Sequence, residues 1–203
     1  MVYRYMTDHK GYNDNEKWEF AGFIQKIVEW GHFVFTLASI TLGKGLKPIL
    51  SSAFSNNGTL TAIVIPDGVT EIGGNAFSNC WLSSITWGKG LLKIGGNAFE
   101  QNNLTEIIIP NGVTYIDGNN AFANNPLTTI TLPASLARYE SGRSGFSYAF
   151  SNTVPVTVTR ITVPTNMDEG MLRGFPDGFL NFWKSQNKAA GTYVLKGRLW
   201  AKQ

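Results

Sequence analysis

The sequence predicts a solenoid, a right-handed β/α superhelix in which short coils stack on one another and share a continuous core. Two regularities of the sequence predict it. A short apolar segment begins at Leu60, Leu82, Leu104 and Leu127, with spacings of 22, 22 and 23 residues. An Ala-Phe pair follows the starts at Leu37, Leu60, Leu82 and Leu104 at offsets of 16, 16, 16 and 17 residues. Because one unit cannot bury its own apolar face, neighbouring units must stack, and each repeated position becomes a column of like side chains.

The head of each unit carries the signal for the strands. It reads L-x-x-I-x followed by an apolar residue, as in residues 60–65. A period in the twenties with this head is typical of a leucine-rich-repeat solenoid, and weaker copies at Leu37 and Val158 extend the array to about five to six coils. Because Leu and Ile point inward while the alternate residues point outward, the heads are predicted to form one parallel sheet on the concave side.

Two longer stretches carry a resemblance to a known family. Residues 63–77 read I-V-I-P-D-G-V-T-E-I-G-G-N-A-F, and residues 107–122 repeat this pattern with an extra residue at Asn119-Asn120. The pattern resembles the BspA-like subclass of bacterial leucine-rich-repeat proteins over roughly residues 37–165. The resemblance implies export to the cell surface or periplasm, and adhesion to host proteins, often of the extracellular matrix. One fold hosts many functions, so the resemblance bears more directly on architecture than on activity.

Residues 1–36, which precede the repeats, are predicted to be an N-terminal cap. Residues 16–30 place aromatic and aliphatic side chains at three- and four-residue steps, which predicts an amphipathic helix that ends at Gly31. A solenoid must cover the exposed end of its core, and this helix is positioned to cover the first coil.

The repeats themselves are predicted to span residues 37–165. Asparagine recurs just after the Ala-Phe pair, where its side-chain amide can satisfy backbone groups of the adjacent coil. This predicted asparagine ladder consists of Asn56, Asn79, Asn102, Asn124 and Asn152.

The last unit, residues 166–203, is predicted to be a C-terminal cap of a helix and a β-hairpin. The helix lies within residues 177–188, and the hairpin turns at Lys196-Gly197. Five basic residues and one acidic residue occupy the chain from Asp177 onward, although the whole chain carries a net charge of only +3. The basic excess fits a solvated tail better than a nucleic-acid or anionic-lipid patch, so no nucleic-acid partner is expected.

The outward residues of the predicted sheet are the candidate protein-binding surface. A curved, preformed sheet offers a long contact surface at little ordering cost. The outward residues are Ser39, Thr41, Ala62, Val64, Ser84, Thr86, Glu106, Ile108, Thr129, Thr131, Arg160 and Thr162. We expect the contact to centre on Val64, Thr86, Ile108 and Thr131.

The fifth repeat contains an insertion at residues 140–148. Insertions in solenoids form loops on one face and often carry recognition, and Arg143, Phe146 and Tyr148 are residue types that dominate binding energies. A contact loop and an inert flap are both compatible with this segment.

The inventory of reactive residues indicates a non-catalytic protein without cofactor or metal. The histidines are His9 and His32, neither falls near Cys80 in the repeat scheme, and Cys80 is predicted to be a corner residue facing the core. Hydrolytic and metal centres need groups of such residues at defined spacings. No run of 18 apolar residues predicts a transmembrane segment, and the first residues lack the apolar region of a signal peptide. These features are compatible with a cytoplasmic protein and with the mature form of an exported one, and the exported location is what the family resemblance implies.

A second interpretation of the same surface is self-assembly. Exposed Val64 and Ile108 on a sheet with little charge, together with aromatic caps, predict a homo-oligomeric scaffold on the cell surface or in the periplasm as the alternative.

Overall fold

The computed structural model describes residues 39–117, 119–138, 149–150, 158–165, 167, 169–172, 175, 178–196 and 199–203. The predicted N-terminal cap at residues 1–36 and the inserted loop at residues 140–148 lie outside the described residues. The domain boundaries drawn at residues 36 and 165 stay predictions.

The repeats form a β-solenoid whose three central coils, which begin at Leu60, Leu82 and Leu104, each contribute two short strands. The strands lie in the order β1 (Pro48–Ile49), β2 (Ala62–Val64), β3 (Glu71–Ile72), β4 (Ser84–Thr86), β5 (Lys93–Ile94), β6 (Glu106–Ile108), β7 (Tyr115–Ile116), β8 (Thr129–Thr131) and β9 (Arg160–Val163). The two-residue strands pair in the order β1-β3-β5-β7, and the four strands of this parallel sheet mark about four turns. The predicted solenoid with parallel strands is therefore confirmed.

The repeat heads supply the second row of strands, β2, β4, β6, β8 and β9. Their pairing places equivalent residues side by side, with Ile63 beside Ile85 and Ile107 beside Ile130. The prediction of one parallel sheet is wrong in two respects. The strands β2 and β4 form a separate two-stranded sheet, and β6, β8 and β9 belong to a five-stranded sheet with β10 (Gly191–Lys196) and β11 (Leu199–Lys202). In addition, β10 runs antiparallel to β9 and to β11.

The core consists of columns of identical or similar residues. The clearest column is a stack of five phenylalanine rings, whose neighbouring centroids lie 5.2, 5.4, 5.5 and 5.3 Å apart with interplanar angles of at most 13°. The rings belong to Phe54, Phe77, Phe99, Phe122 and Phe150. Offset stacking of aromatic rings adds to the free energy gained by burying them, so this column ties each coil to the next.

Asparagines occupy two distinct columns after the Ala-Phe pair, so the predicted single ladder is corrected. Asn56, Asn79 and Asn124 have φ of 61°, 56° and 56°, the left-handed conformation that Asn tolerates better than most residues. The next position is buried and holds Asn57, Asn102 and Asn125. Asn102 therefore belongs to the buried column, and Asn152 lies outside the described residues.

Glycine is required where neighbouring coils touch through their backbones. A Cβ atom at Gly88 would lie 2.2 Å from the carbonyl oxygen of Pro66, and one at Gly73 would lie 2.5 Å from the amide nitrogen of Ser51. Any side chain at these positions would force the coils apart.

The C-terminal end of the core is covered by α1 (Phe179–Ser185) and by the β10–β11 hairpin. Phe179, Trp183, Tyr193 and Trp200 are buried there, and Phe179 contacts Trp200 with ring centroids 4.8 Å apart. The Tyr193 hydroxyl and the Trp183 indole N–H both donate to the backbone carbonyl of Ala189, the indole at 3.0 Å. Trp183 and Tyr193 thus bury their apolar area and keep their polar atoms paired, whereas the buried indole nitrogen of Trp200 has no hydrogen-bond partner among the described residues.

Two short 3-10 helices complete the described elements, at Ala134–Arg138 and Glu169–Leu172. The second one is joined to α1 and the residues after it by ion pairs. The Glu169 carboxylate lies 2.6 Å from the Lys184 amine and 2.5 Å from the Lys188 amine.

Candidate protein-binding surface

The strand face, which we define as the outward side chains of β2, β4, β6, β8 and β9, contains ten of the predicted contact residues. The alternation of a β-strand places them on the side opposite the core, and the inward Ile63, Ile107 and Ile130 are buried. Seven of the ten are exposed, whereas Thr129, Thr131 and Thr162 are half-buried. Ser39 and Thr41, the remaining two, are exposed and precede β1.

Apolar side chains on the strand face are unusually open to solvent. Val64 is 60% exposed and Ile108 is 54% exposed. Both are β-branched residues that belong, by type, in a core. Val64 lies on β2 and Ile108 on β6, two strands of different sheets, so each adds an apolar side chain to its own part of the strand face.

A row of hydroxyl side chains runs along the edge of the strand face where the chain enters each head. The Ser83 hydroxyl donates to the carbonyl of Thr61 at 3.1 Å, and the Thr128 hydroxyl donates to that of Thr105 at 3.0 Å. Each of these hydroxyls is held by the preceding coil, which leaves its oxygen lone pairs directed to solvent. Sequence reasoning did not assign this row, although Ser or Thr as the second residue of each head was the signal for it.

The hairpin continues the strand face beyond β9. The Thr162 and Thr192 hydroxyls lie 3.0 Å apart, and the Arg160 guanidinium donates to the Gln203 side-chain oxygen at 3.0 Å. These contacts explain why Thr162 is half-buried, and they hold Arg160 at the border between the repeats and the hairpin. Glu106 is the one acidic residue among the predicted contact residues.

Trp81 is an exposed aromatic residue that the sequence analysis did not select. Its side chain is 59% exposed and its φ is 61°. A bulky residue in the left-handed region is rare. In the neighbouring repeats its position is occupied by Thr59, Asn103 and Pro126, so the substitution of a tryptophan was visible in the sequence although its conformation was not.

Cys80 is a structural residue. It replaces asparagine in the buried column, and its thiol donates to the carbonyl of Phe54 with 2.8 Å between sulfur and oxygen. Burial raises the pKa of the Cys80 thiol to about 11, against the smaller, lowering effect of a backbone hydrogen bond at Asn57. A thiol with this pKa is protonated at neutral pH and is a poor nucleophile.

The part of the chain that the structure describes contains no group of three or more His, Cys, Asp or Glu side chains that could hold a metal ion. Among those same residues, no helix is long and apolar enough to cross a membrane. Arg143, Phe146 and Tyr148 of the inserted loop fall outside the described residues.

The stacked coils, their two rows of short strands and the open strand face define a leucine-rich-repeat solenoid, a class whose members typically serve as non-catalytic binding scaffolds. The chain belongs to the BspA type leucine-rich-repeat family, whose repeat region matches residues 32–154 in 6 copies. Family membership indicates a protein-interaction module, and it indicates no enzymatic family. A comparison with curated proteins finds no match.

Proposed function

We propose that this protein is an exported adhesion module that binds a protein ligand of the host or the extracellular matrix through its strand face. The proposed location is the cell surface or the periplasm, in keeping with the surface association typical of the family. The site consists of the outward residues of β2, β4 and β6, flanked by Thr129, Thr131, Arg160 and Thr162. No cofactor takes part, because association requires surface complementarity alone.

The exposure of Val64 and Ile108 is the observation that carries this proposal. Removing the exposed apolar surface of these two side chains from water favours association. The supporting backbone is held by hydrogen bonds to the neighbouring coils, as between Ile65 N and Thr86 O at 2.8 Å, so little conformational entropy is lost on binding. Neutral hydroxyl side chains around them add hydrogen-bonding capacity at a small desolvation cost.

The proposal predicts that the double variant Val64→Asp and Ile108→Asp loses binding to immobilised extracellular-matrix protein. Two buried, unpaired carboxylates at the centre of a contact weaken binding by at least about tenfold, since hot-spot changes cost about 2 kcal/mol or more. The measurement is a solid-phase titration with the purified chain.

The matched control is Leu92→Asp. Leu92 is 45% exposed but precedes β5, away from the strand face, so binding by this variant should stay within about twofold of the unchanged chain. Equal binding by the strand-face variant, the control variant and the unchanged chain would contradict the placement of the contact.

Self-assembly is a second candidate function, favoured by β11, which is an edge strand of its sheet in the part of the chain that the structure describes. Leu199 on that strand is 76% exposed, and a strand at the edge of a sheet offers unpaired backbone groups to another chain. A second copy pairing at this edge would produce an oligomer. Light scattering over a range of protein concentrations separates the candidates, because a stable oligomer supports assembly, whereas a monomer that binds matrix protein supports adhesion.

A further inference from the structure

The row of repeat heads is interrupted between β4 and β6, a junction that we call the seam. At other junctions a backbone amide at the end of one head donates to the next coil. Ile65 donates to Thr86 at 2.8 Å, Ile109 to Thr131 at 3.0 Å and Leu132 to Thr162 at 3.1 Å. The equivalent bond across the seam would run from Trp87 to Ile108, and it is absent among the described residues.

The start of the head is altered at the seam as well. Elsewhere the second residue of a head donates to its counterpart in the preceding coil, as Ser83 does to Thr61 at 2.8 Å and Thr128 does to Thr105 at 2.7 Å. At the seam, Asn103 donates to Leu82 at 2.8 Å instead. The first of these backbone hydrogen bonds is thus made by an earlier residue than in the other repeats. The strands of the two heads, β4 and β6, are not paired.

The side chain of Trp87 distinguishes this junction from the others. Its column holds Ile65, Ile109 and Leu132 in the other repeats, all at most 3% exposed. The larger indole is only half-buried, and it contacts Phe99 of its own coil edge-on, with ring centroids 5.5 Å apart and ring planes at 83°. An over-large side chain in a close-packed column displaces its surroundings. Ile85 lies in β4, directly before Trp87. It is half-buried, although the residues at its position in the neighbouring repeats are buried.

The phenylalanine column and the sheet of two-residue strands are both continuous at the seam. Phe99 and Phe122 stack at 5.5 Å with nearly parallel rings, and β5 pairs with β7. The coils on either side are therefore joined through the phenylalanine column and the two-residue strands, and they are separated at the repeat heads. Two coils that are joined in this way can bend about the phenylalanine column and the two-residue strands.

We propose that the seam is a hinge that lets the strand face open and close between its β2–β4 part and its β6–β8–β9 part. The stacked Phe99 and Phe122 rings and the β5–β7 pairing form the pivot, and Trp87 holds the repeat heads apart. The hinge is a property of the chain itself and does not depend on the proposed ligand. It gives the surface a curvature that adapts to what it contacts.

Amide hydrogen exchange on the full chain tests the hinge, because exchange reports local opening. The Trp87 amide should exchange at least about tenfold faster than the amides of Ile65, Ile109 and Leu132, since a missing backbone hydrogen bond removes its protection. The variant Trp87→Ile replaces the large indole with the residue type found at this position in other repeats. It should slow exchange across residues 84–88 and 104–109 by about tenfold, because the β4 and β6 heads can then pair as the other heads do.

Leu132→Ile is the matched control in the same column, and it should leave exchange at the seam unchanged, since the swap conserves volume. The hinge is contradicted if the Trp87 amide of the unchanged chain is as protected as its three counterparts. It is also contradicted if Trp87→Ile leaves the exchange of both seam segments as it was.

Discussion

Asn102 shows, at the scale of one residue, how neighbouring coils are joined. Its side-chain oxygen accepts from the backbone N–H of Cys80 at 3.3 Å and of Leu82 at 2.8 Å. Its amide nitrogen donates to the carbonyls of Phe77, Phe99 and Glu100 at 2.8, 3.1 and 3.2 Å. One buried side chain thereby satisfies backbone groups of two coils that would otherwise be unpaired.

We predict that Asn102→Ala lowers the free energy of unfolding by about 3 kcal/mol, because several buried backbone groups lose their partners at once. Urea denaturation measures the loss. Asn103→Ala is the control, since Asn103 is exposed, and it should change stability by less than about 0.5 kcal/mol. Equal stabilities of the two variants would contradict the role given to the buried column.

The residue scale also shows how far the sequence can be read. Repetition of Asn after the Ala-Phe pair predicted that side-chain amides serve the backbone, which Asn102 and Asn125 do. It did not separate the buried column from the adjacent left-handed corners, because consecutive asparagines such as Asn56 and Asn57 carry the same letter in two different environments. The conformation of Trp81 has no sequence signal, since nothing in its residue type favours a positive φ.

At the scale of the elements, periodicity predicted the strands of the repeat heads and the inward direction of their Leu and Ile residues. The interruption of the row was not predicted, because Trp87 fits the apolar pattern and only its size differs from that of its column mates. The ladder of β1, β3, β5 and β7 was likewise missed as a sheet, since a two-residue strand is too short to show alternation.

The ion pairs of the 3-10 helix with α1 make a pH-dependent contribution to stability. Hydrogen bonds from Lys184 and then Lys188 lower the pKa of Glu169 from 4.5 to about 2. A depressed pKa in the folded state means that the contribution is fully present above pH 4.5 and is lost as the pH falls through about 2.

We therefore predict that the stability difference between the unchanged chain and Glu169→Gln is constant above pH 4.5 and shrinks toward zero near pH 2. Urea denaturation at a series of pH values measures it. A difference that is the same at pH 2 as at pH 6 would mean that the carboxylate makes no charge-dependent contact in the folded protein.

At the scale of the whole molecule, the repeats build a continuous stack of coils that presents one face of exposed side chains. The phenylalanine column and the two-residue strands hold the coils together, whereas the heads present Val64, Ile108 and rows of hydroxyls to solvent. The fold followed from the repeat period because stacking is the only way for a unit of this length to bury its apolar face. The ligand does not follow from the period, since outward residues are free to vary without affecting the stack.

The central claim is that the strand face is the contact surface, and hydrogen-exchange footprinting of the chain with bound extracellular-matrix protein tests it most directly. We predict that binding slows exchange in residues 62–64, 84–86 and 106–108 and leaves the β1, β3, β5 and β7 segments unchanged. Protection confined to the two-residue strands or to the C-terminal hairpin, with none in the repeat heads, would contradict the claim.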